Sequence, residues 1–505
     1  MLDLPQHAAQ VAIWRDLLQG TSEWQPLLHI DYFTPYLLGD GLALLLSSIM
    51  PVSAALKVVL TVAYYGFVGA CVLLRQRVEG DKRLDWLFIP GFFGLAYALG
   101  FYEFLVAAPV GLLFILLACR YADRPAPGLA IVLCLADLAL FFAHGLVFLF
   151  ANAIGVGFLL LRQRQAAVAL AALLPYAALG VWCLAYSLIH LGGEIDTPRG
   201  WLEIGWGWDF SRISSLVQPL AVFEADGLFT VISLLMFGAP FVLDARLNRH
   251  QTVAFVPISV TLLVWLAVPS LTMNASFIYQ RFSLFILPFY ALVFCQAGPM
   301  AGGSSQKPRY GVVKRLWLPL LCWAFLAMHA QRLLTFAQES VAFDEVLMAT
   351  EPGHRALGLI LDPASAATGH LYAYLHFPLW YQAEKSGFVD FNFAGLPPQI
   401  VRFRIGRAPV VTDRIALDAR EFDWASHQAG IYRYFFVRHT APLPAGYFPS
   451  GLCTPVLLRA AGPWSVFENL NCLSTLPLGT PPPTGIALGY ATLSPSAPLP
   501  RVSRR

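Results

Sequence analysis

Asp3 and His7 lie four residues apart in DLPQH, a spacing that puts a carboxylate and an imidazole on one face of a helix. Pro5 between them suits the first turn of such a helix. At a membrane surface the pair could hold a divalent metal ion, or set a carboxylate base beside a sugar hydroxyl. The same spacing equally suits a helix cap next to a solvated histidine. Glu103, in LGFYEFLVAAP (99–109), is a second acid, placed in a short turn between two apolar runs. Ionisable groups at such a boundary are costly to desolvate and tend to serve function, although a plain interfacial residue would be tolerated there. Three basic or titratable side chains could meet a lipid phosphate. Lys57, early in an apolar run, either snorkels to the interface or neutralises a phosphate. Arg281, in NASFIYQRF (274–282), carries forked donors that match phosphate oxygens, the alternative being simple anchoring. His144 closes LADLALFFAHG (135–145), two turns beyond Asp137, and is the better placed of the two for substrate; Asp137 fits a buried hydrogen-bond network. Arg199 and Arg212, in EIDTPRGWLEIGWGWDFSR (194–212), are weaker phosphate candidates. Trp201, Trp206 and Trp208 of that segment would stack on a sugar ring or anchor at the interface.

These residues must be positioned by a membrane protein. The chain has 505 residues, 57% of them hydrophobic and 12% charged, about half the charge of a soluble protein. Runs of roughly 20 apolar residues are long enough to cross a bilayer. Ten such runs fall at about 52–74, 85–101, 104–119, 127–143, 145–161, 166–190, 226–243, 252–270, 278–296 and 316–334. Lys and Arg concentrate in alternate connections, RQRVEGDKR (75–83), CRYADR (119–124), RQR (162–164), DARLNRH (244–250) and QKPRYGVVKR (306–315). Short basic loops stay cytoplasmic. The alternation therefore predicts a multi-pass protein of a bacterial-type inner membrane, with Asp3, Lys57, Glu103, His144 and Arg281 at the outer face. It also puts residues 1–51 outside as a first loop with interfacial helices, and so calls for a first span upstream. The alternative span, Tyr36–Met50, is short and contains Asp40, which suits a helix lying at the interface.

Residues 52–335 form the predicted helical bundle. Residues 336–480 have ordinary charge density and strand-like runs at 356–362, 431–439 and 463–469, which predict an outer domain of α/β or α+β type. Residues 481–505 read as an extended or disordered tail. Cys453 and Cys472 are the two cysteines of the outer region, and an oxidising compartment would allow a disulfide or leave two thiols. Basic residues in short loops, with no long stripe, argue against nucleic-acid binding. The sequence has no Walker A, Rossmann, GxSxG or HExxH pattern, which argues against a nucleotide-driven pump.

The order of these parts resembles the integral-membrane glycosyltransferases of the GT-C type. An acid opens the first outer loop in DLPQH, and an aromatic and proline segment, YFTPYLLGDGLALLLSSIMPVSAALK, leads to a span with an early lysine. FYEFLVAAP joins two spans, and a C-terminal domain follows the last one. The resemblance covers roughly the first 335 residues. It implies transfer of a sugar from a polyprenyl-phosphate donor to a glycan, lipid or protein acceptor outside the membrane. Asp3 would be the base and Glu103 a second acid, with Lys57, His144 and Arg281 around the lipid phosphate. A divalent ion held by Asp3 and His7 would assist. The competing readings are a transporter or flippase of lipid-linked glycans, which needs polar residues along several spans, and a non-catalytic assembly protein.

Overall fold

The computed structural model describes residues 1–192, 204–206, 210–217, 219–220, 227–272, 275–296, 311–396, 398–409, 418–448 and 454–470. Arg199, Trp201, Trp208, the Cys453–Cys472 pair and the tail 481–505 lie outside the described residues.

In lipid, an uncharged stretch must satisfy its backbone internally, which selects helices. The chain is mostly helical. Among the described residues, four helices are long and apolar enough to cross a membrane: Val52–Arg77, Tyr102–Asp123, Gly145–Arg162 and Gly311–Met348. The pair Ala166–Ala172 and Leu174–Ile189 adds a fifth if its 41° bend lies within one span. Pro175 sits at that break, where its ring clashes with the preceding turn. Pro127–Ala143, Gly227–Val242 and Thr252–Ala267 are shorter apolar helices.

Two expected spans are built differently. Residues 85–101 are three short helical turns, Lys82–Leu87, Phe88–Gly91 and Leu95–Leu99. Pro90, Gly91 and Gly94 interrupt the run, and Gly100 ends it in the left-handed region at φ 78°. The segment is held by aromatic packing, with Phe92 against Phe67 and Phe93 against Tyr97. Residues 278–296 hold only the helix Ser283–Leu292, after a turn at Tyr279–Phe282.

The basic connections meet at one end of the bundle. Asp123 binds both Arg77 and Arg162, the latter at 3.0 Å. Arg75 grips Asp85 through hydrogen bonds of 2.9 and 2.8 Å. Lys314 reaches Asp244 at 2.7 Å, and Asn248 donates to the Val78 carbonyl at 2.6 Å. Val52–Arg77, Tyr102–Asp123 and Gly145–Arg162 thus bring their C-terminal ends together, leaving Pro51, Tyr102 and Gly145 toward the other end.

That other end is covered by a C-terminal domain. Gly311–Met348 runs unbroken through residue 335 and delivers the chain to a five-stranded mixed sheet. Its order is Val456–Ala461, Trp464–Glu468, Tyr434–Arg438, Arg355–Ile360, Phe388–Val389. The first three strands pair antiparallel, and Arg355–Ile360 lies parallel to both of its neighbours. Three of these strands fall on the runs expected from the sequence.

The first helix, Leu4–Leu18, is buried from Pro5 to Trp14. It is therefore not a helix lying on the membrane surface. Ala8, Val11 and Ala12 pack on Ala43, Leu56 and Tyr102, Ala9 packs with Phe343 and Phe377, and Ile13 and Trp14 pack with Phe388 and Val401. Polar residues can be buried on such a helix only where each finds a hydrogen-bond partner. Two of its buried polar residues reach the C-terminal domain: Gln6 Oε1 accepts from Phe393 N at 2.9 Å and Gln10 Oε1 from Val401 N at 3.1 Å, and the separate strand Leu28–Ile30 pairs antiparallel with Val401–Phe403.

Candidate functional site

The nine-residue helix Leu38–Leu46 is too short to cross a bilayer. Its first N–H groups have no intrahelical acceptors and would be orphaned if buried. Glu103, in the first turn of Tyr102–Asp123, supplies them: its carboxylate oxygens accept from Gly39 N at 2.9 Å and Asp40 N at 2.6 Å. This approach requires a glycine, because a Cβ on Gly39 would lie 2.5 Å from Glu103 Oε2. The carboxylate also sits where the helix dipole favours negative charge. Glu103 is buried, so it is a cross-element cap at the centre of the site rather than an exposed turn residue.

Asp40 extends the cluster. His7 Nδ1 lies 3.2 Å from Asp40 Oδ1, and both residues are buried. Asp40 Oδ2 is buried with no hydrogen-bond partner. Ligand atoms of His7, Asp40 and Glu103 all lie within 4.8 Å of one another. Among the described residues, no lysine or arginine forms an ion pair with Asp40 or Glu103. Two carboxylates and an imidazole with a spare oxygen are a donor set that suits a divalent cation. The set differs from the expected one: His7 belongs to it, but Asp3 does not, because Asp3 faces another partner.

Asp3 begins Leu4–Leu18 without capping it through its side chain. Its backbone is pinned instead, with Leu2 N and Asp3 N donating to the carbonyls of Ala98 and Leu99 at 3.3 and 2.9 Å. Gly100 makes this docking feasible, since a Cβ there would meet Asp3 N at 3.0 Å. The Asp3 carboxylate, 15% exposed, turns to His376 of the C-terminal domain, with Oδ1 3.4 Å from Nε2.

The third group is cationic and aromatic. Arg281 is buried with its guanidinium 3.9 Å over the Phe101 ring, and one terminal nitrogen donates to Ser276 O at 3.2 Å. Its Nε is buried with no hydrogen-bond partner. Tyr36 links this group to the acids. Burial raises its pKa, with Asp3 and Glu103 adding to the rise, while Arg281 beside the phenol opposes it. The Tyr36 ring packs against His144 at 5.0 Å. His144 caps Gly145–Arg162 by accepting Leu146 N at Nδ1, 3.2 Å away. Burial, then Arg281 and His7, holds its pKa well below the ordinary histidine value. The ring is therefore neutral, and its remaining donor is Nε2–H.

Asp3, His7, Glu103, His144 and Arg281 thus share one end of the bundle, opposite the basic rim. Lys57 does not join them. It is exposed on Val52–Arg77, and its charge acts on Glu384 of the C-terminal domain. Arg212 is buried in a structural role: it donates to the carbonyls of Trp265 at 2.6 Å, Trp206 at 2.7 Å, and Val268, and lies over Tyr279. Trp206 is exposed. Asp137 accepts from Asn152 at 2.7 Å, tying two apolar helices together. Beyond Leu2, a cavity of about 60 Å³ opens between Phe93, Tyr97, Phe229, Phe336 and His370.

Asp40, Tyr36, Gln6 and His376 are site residues that spacing did not single out. Asp40 stood in the sequence as an acid inside an apolar run, which is a signal in its own right. His376 is 373 positions from Asp3, beyond the reach of any spacing argument. No family model matches the chain, and no curated protein or solved structure matches it either.

Proposed function

We propose that this chain is a membrane glycosyltransferase resembling the GT-C type, which moves a sugar from a polyprenyl-phosphate donor to an acceptor at the outer membrane face. The observation that carries the reading is that His7, Asp40 and Glu103 cluster within 4.8 Å at the bundle end away from the basic rim, where Asp3 docks on Leu99 and Arg281 lies over Phe101. Asp3 keeps part of its carboxylate open and takes the proton of an acceptor hydroxyl. The hydroxyl oxygen bonds to the anomeric carbon as the bond from that carbon to the phosphate oxygen breaks, and the electron pair leaves with the lipid phosphate. Arg281, whose Nε is unpaired, meets the charge that grows on that phosphate, and neutral His144 donates from Nε2. His7, Asp40 and Glu103 would hold a divalent ion, which supplies charge neutralisation for an anionic donor.

The sidedness belongs to the same proposal. Short basic connections gathered at one end favour that end as cytoplasmic, with the C-terminal domain outside an inner membrane and about ten crossings counted with the broken segments. A transport path would need polar groups along the bundle, whereas Asp137 is paired with Asn152. In lipid nanodiscs, the full chain should turn over polyprenyl-phosphate hexoses, and Asp3→Asn should lower turnover about 10²- to 10⁴-fold. Undiminished turnover by this variant would remove Asp3 from the reaction.

A further inference from the structure

His376 stands in the C-terminal domain between the strand Arg355–Ile360 and the helix Leu379–Lys385, buried against Phe391 and Phe393 at ring distances of 5.3 and 5.8 Å. Its two nitrogens face different partners. Nδ1 lies 3.0 Å from Gln6 Nε2, and Nε2 lies 3.4 Å from Asp3 Oδ1. The Gln6 amide has a fixed orientation, because its oxygen accepts the backbone N–H of Phe393 at 2.9 Å. Its nitrogen therefore faces the imidazole, and an amide nitrogen can only donate. Nδ1 must then present its lone pair, and the ring proton must sit on Nε2, the nitrogen that lies 3.4 Å from Asp3 Oδ1 at ion-pair range.

We infer that His376 is a positioning residue for Asp3, so that the C-terminal domain sets the orientation of the carboxylate that receives the acceptor's proton. The inference rests on the reading of Asp3 as the base. Donation runs one way, from Phe393 N–H to Gln6 and from Gln6 to His376, and leaves the Nε2 proton as the group next to Asp3. His376 does not take up the transferred proton, because Nε2 already bears one and Nδ1 is covered by Gln6. The proton leaves Asp3 through its open face. The site is complete only when the C-terminal domain is seated on Leu4–Leu18.

Two measurements on the full chain in lipid nanodiscs test this. In the first, ¹⁵N-histidine solid-state NMR, with His376 assigned by its loss in His376→Gln, should give a protonated Nε2 and a bare Nδ1. Gln6→Glu should move a proton onto Nδ1, since a carboxylate offers no donor there. A wild-type ring protonated at Nδ1 would overturn the inference. In the second, hydrolysis of polyprenyl-phosphate hexoses is followed with water as acceptor. Misplacing a reacting group by about 1 Å can cost about 10²-fold, so His376→Phe should lower kcat between about 10- and 100-fold while KM holds. His376→Gln, whose amide nitrogen replaces the Nε2 donor, should recover most of kcat. A purely structural histidine would not be rescued selectively in kcat. If Asp3→Asn abolishes turnover but His376→Phe leaves kcat intact, the inference fails and the base reading stands. If Asp3→Asn is fully active, or if no hexose donor is turned over, the base reading fails and takes the inference with it.

Discussion

The two ends of the helical bundle treat charge in opposite ways. At the basic rim, carboxylates meet guanidinium or ammonium groups: Asp123 has Arg77 and Arg162, Asp85 has Arg75, and Asp244 has Lys314. At the other end, Asp40 and Glu103 sit together in the interior with His7 and backbone N–H groups, and Arg281 lies apart on Phe101. The rim pairs are partly exposed and suit a structural and orienting role. The buried acids have no lysine or arginine partner among the described residues, which marks them as a candidate functional site.

The contrast can be broken most forcefully at Glu103. Glu103→Ala should orphan two buried N–H groups, at about 1–3 kcal/mol each, and thermal unfolding in nanodiscs should register about 4 kcal/mol in all. A smaller acid response is expected next to the site. Burial holds His370 at about 4 against an ordinary 6.5, with Nδ1 accepting Tyr372 N at 3.0 Å. The folded state keeps this ring neutral, so the unfolded chain binds the extra proton. Stability is full above the unfolded value, about 6.5, and falls as pH drops toward 4, by about 3 kcal/mol. His370→Asn, which keeps an acceptor at the Nδ1 position, should flatten that slope in melts from pH 7 to 4.

Gly39→Ala sharpens the comparison further, because its Cβ must push the Glu103 carboxylate away. A cost of about 2 kcal/mol is expected. Mn²⁺ at a hundredfold excess over its Kd should stabilise the wild type by about 2.7 kcal/mol, and Gly39→Ala and Asp40→Asn should lose that thermal shift. An unchanged shift in Asp40→Asn would place the ion elsewhere. The smallest effect belongs to the rim, where Arg75→Ala should cost about 1 kcal/mol or less, reduced further by salt.

Much of this arrangement was legible in the residues themselves. Pro5 in the first helical turn, Glu103 at the start of an apolar run, and three of the five sheet strands follow from local chemistry. The broken segment 85–101 carried its own warning in Pro90, Gly91 and Gly94, which an averaged hydropathy conceals. The burial of Leu4–Leu18 was hidden because Gln6, His7 and Gln10 look like a solvated face, whereas each has a partner in a distant segment. Lys57 had the right charge and position in sequence, but its turn of the helix faces outward. Convergence of Asp3 with His376 depends on tertiary closure, which no local pattern encodes.

Gly311–Met348 has a further mechanical meaning. At 1.5 Å per residue its 38 residues make a strut of about 57 Å, longer than the hydrocarbon thickness of a bilayer. The strut holds the sheet from one side, and the ribbon Leu28–Ile30 with Val401–Phe403 holds it from another. With both attachments in place, the sheet is restrained from swinging as a rigid body over the bundle end that carries His7, Asp40 and Glu103.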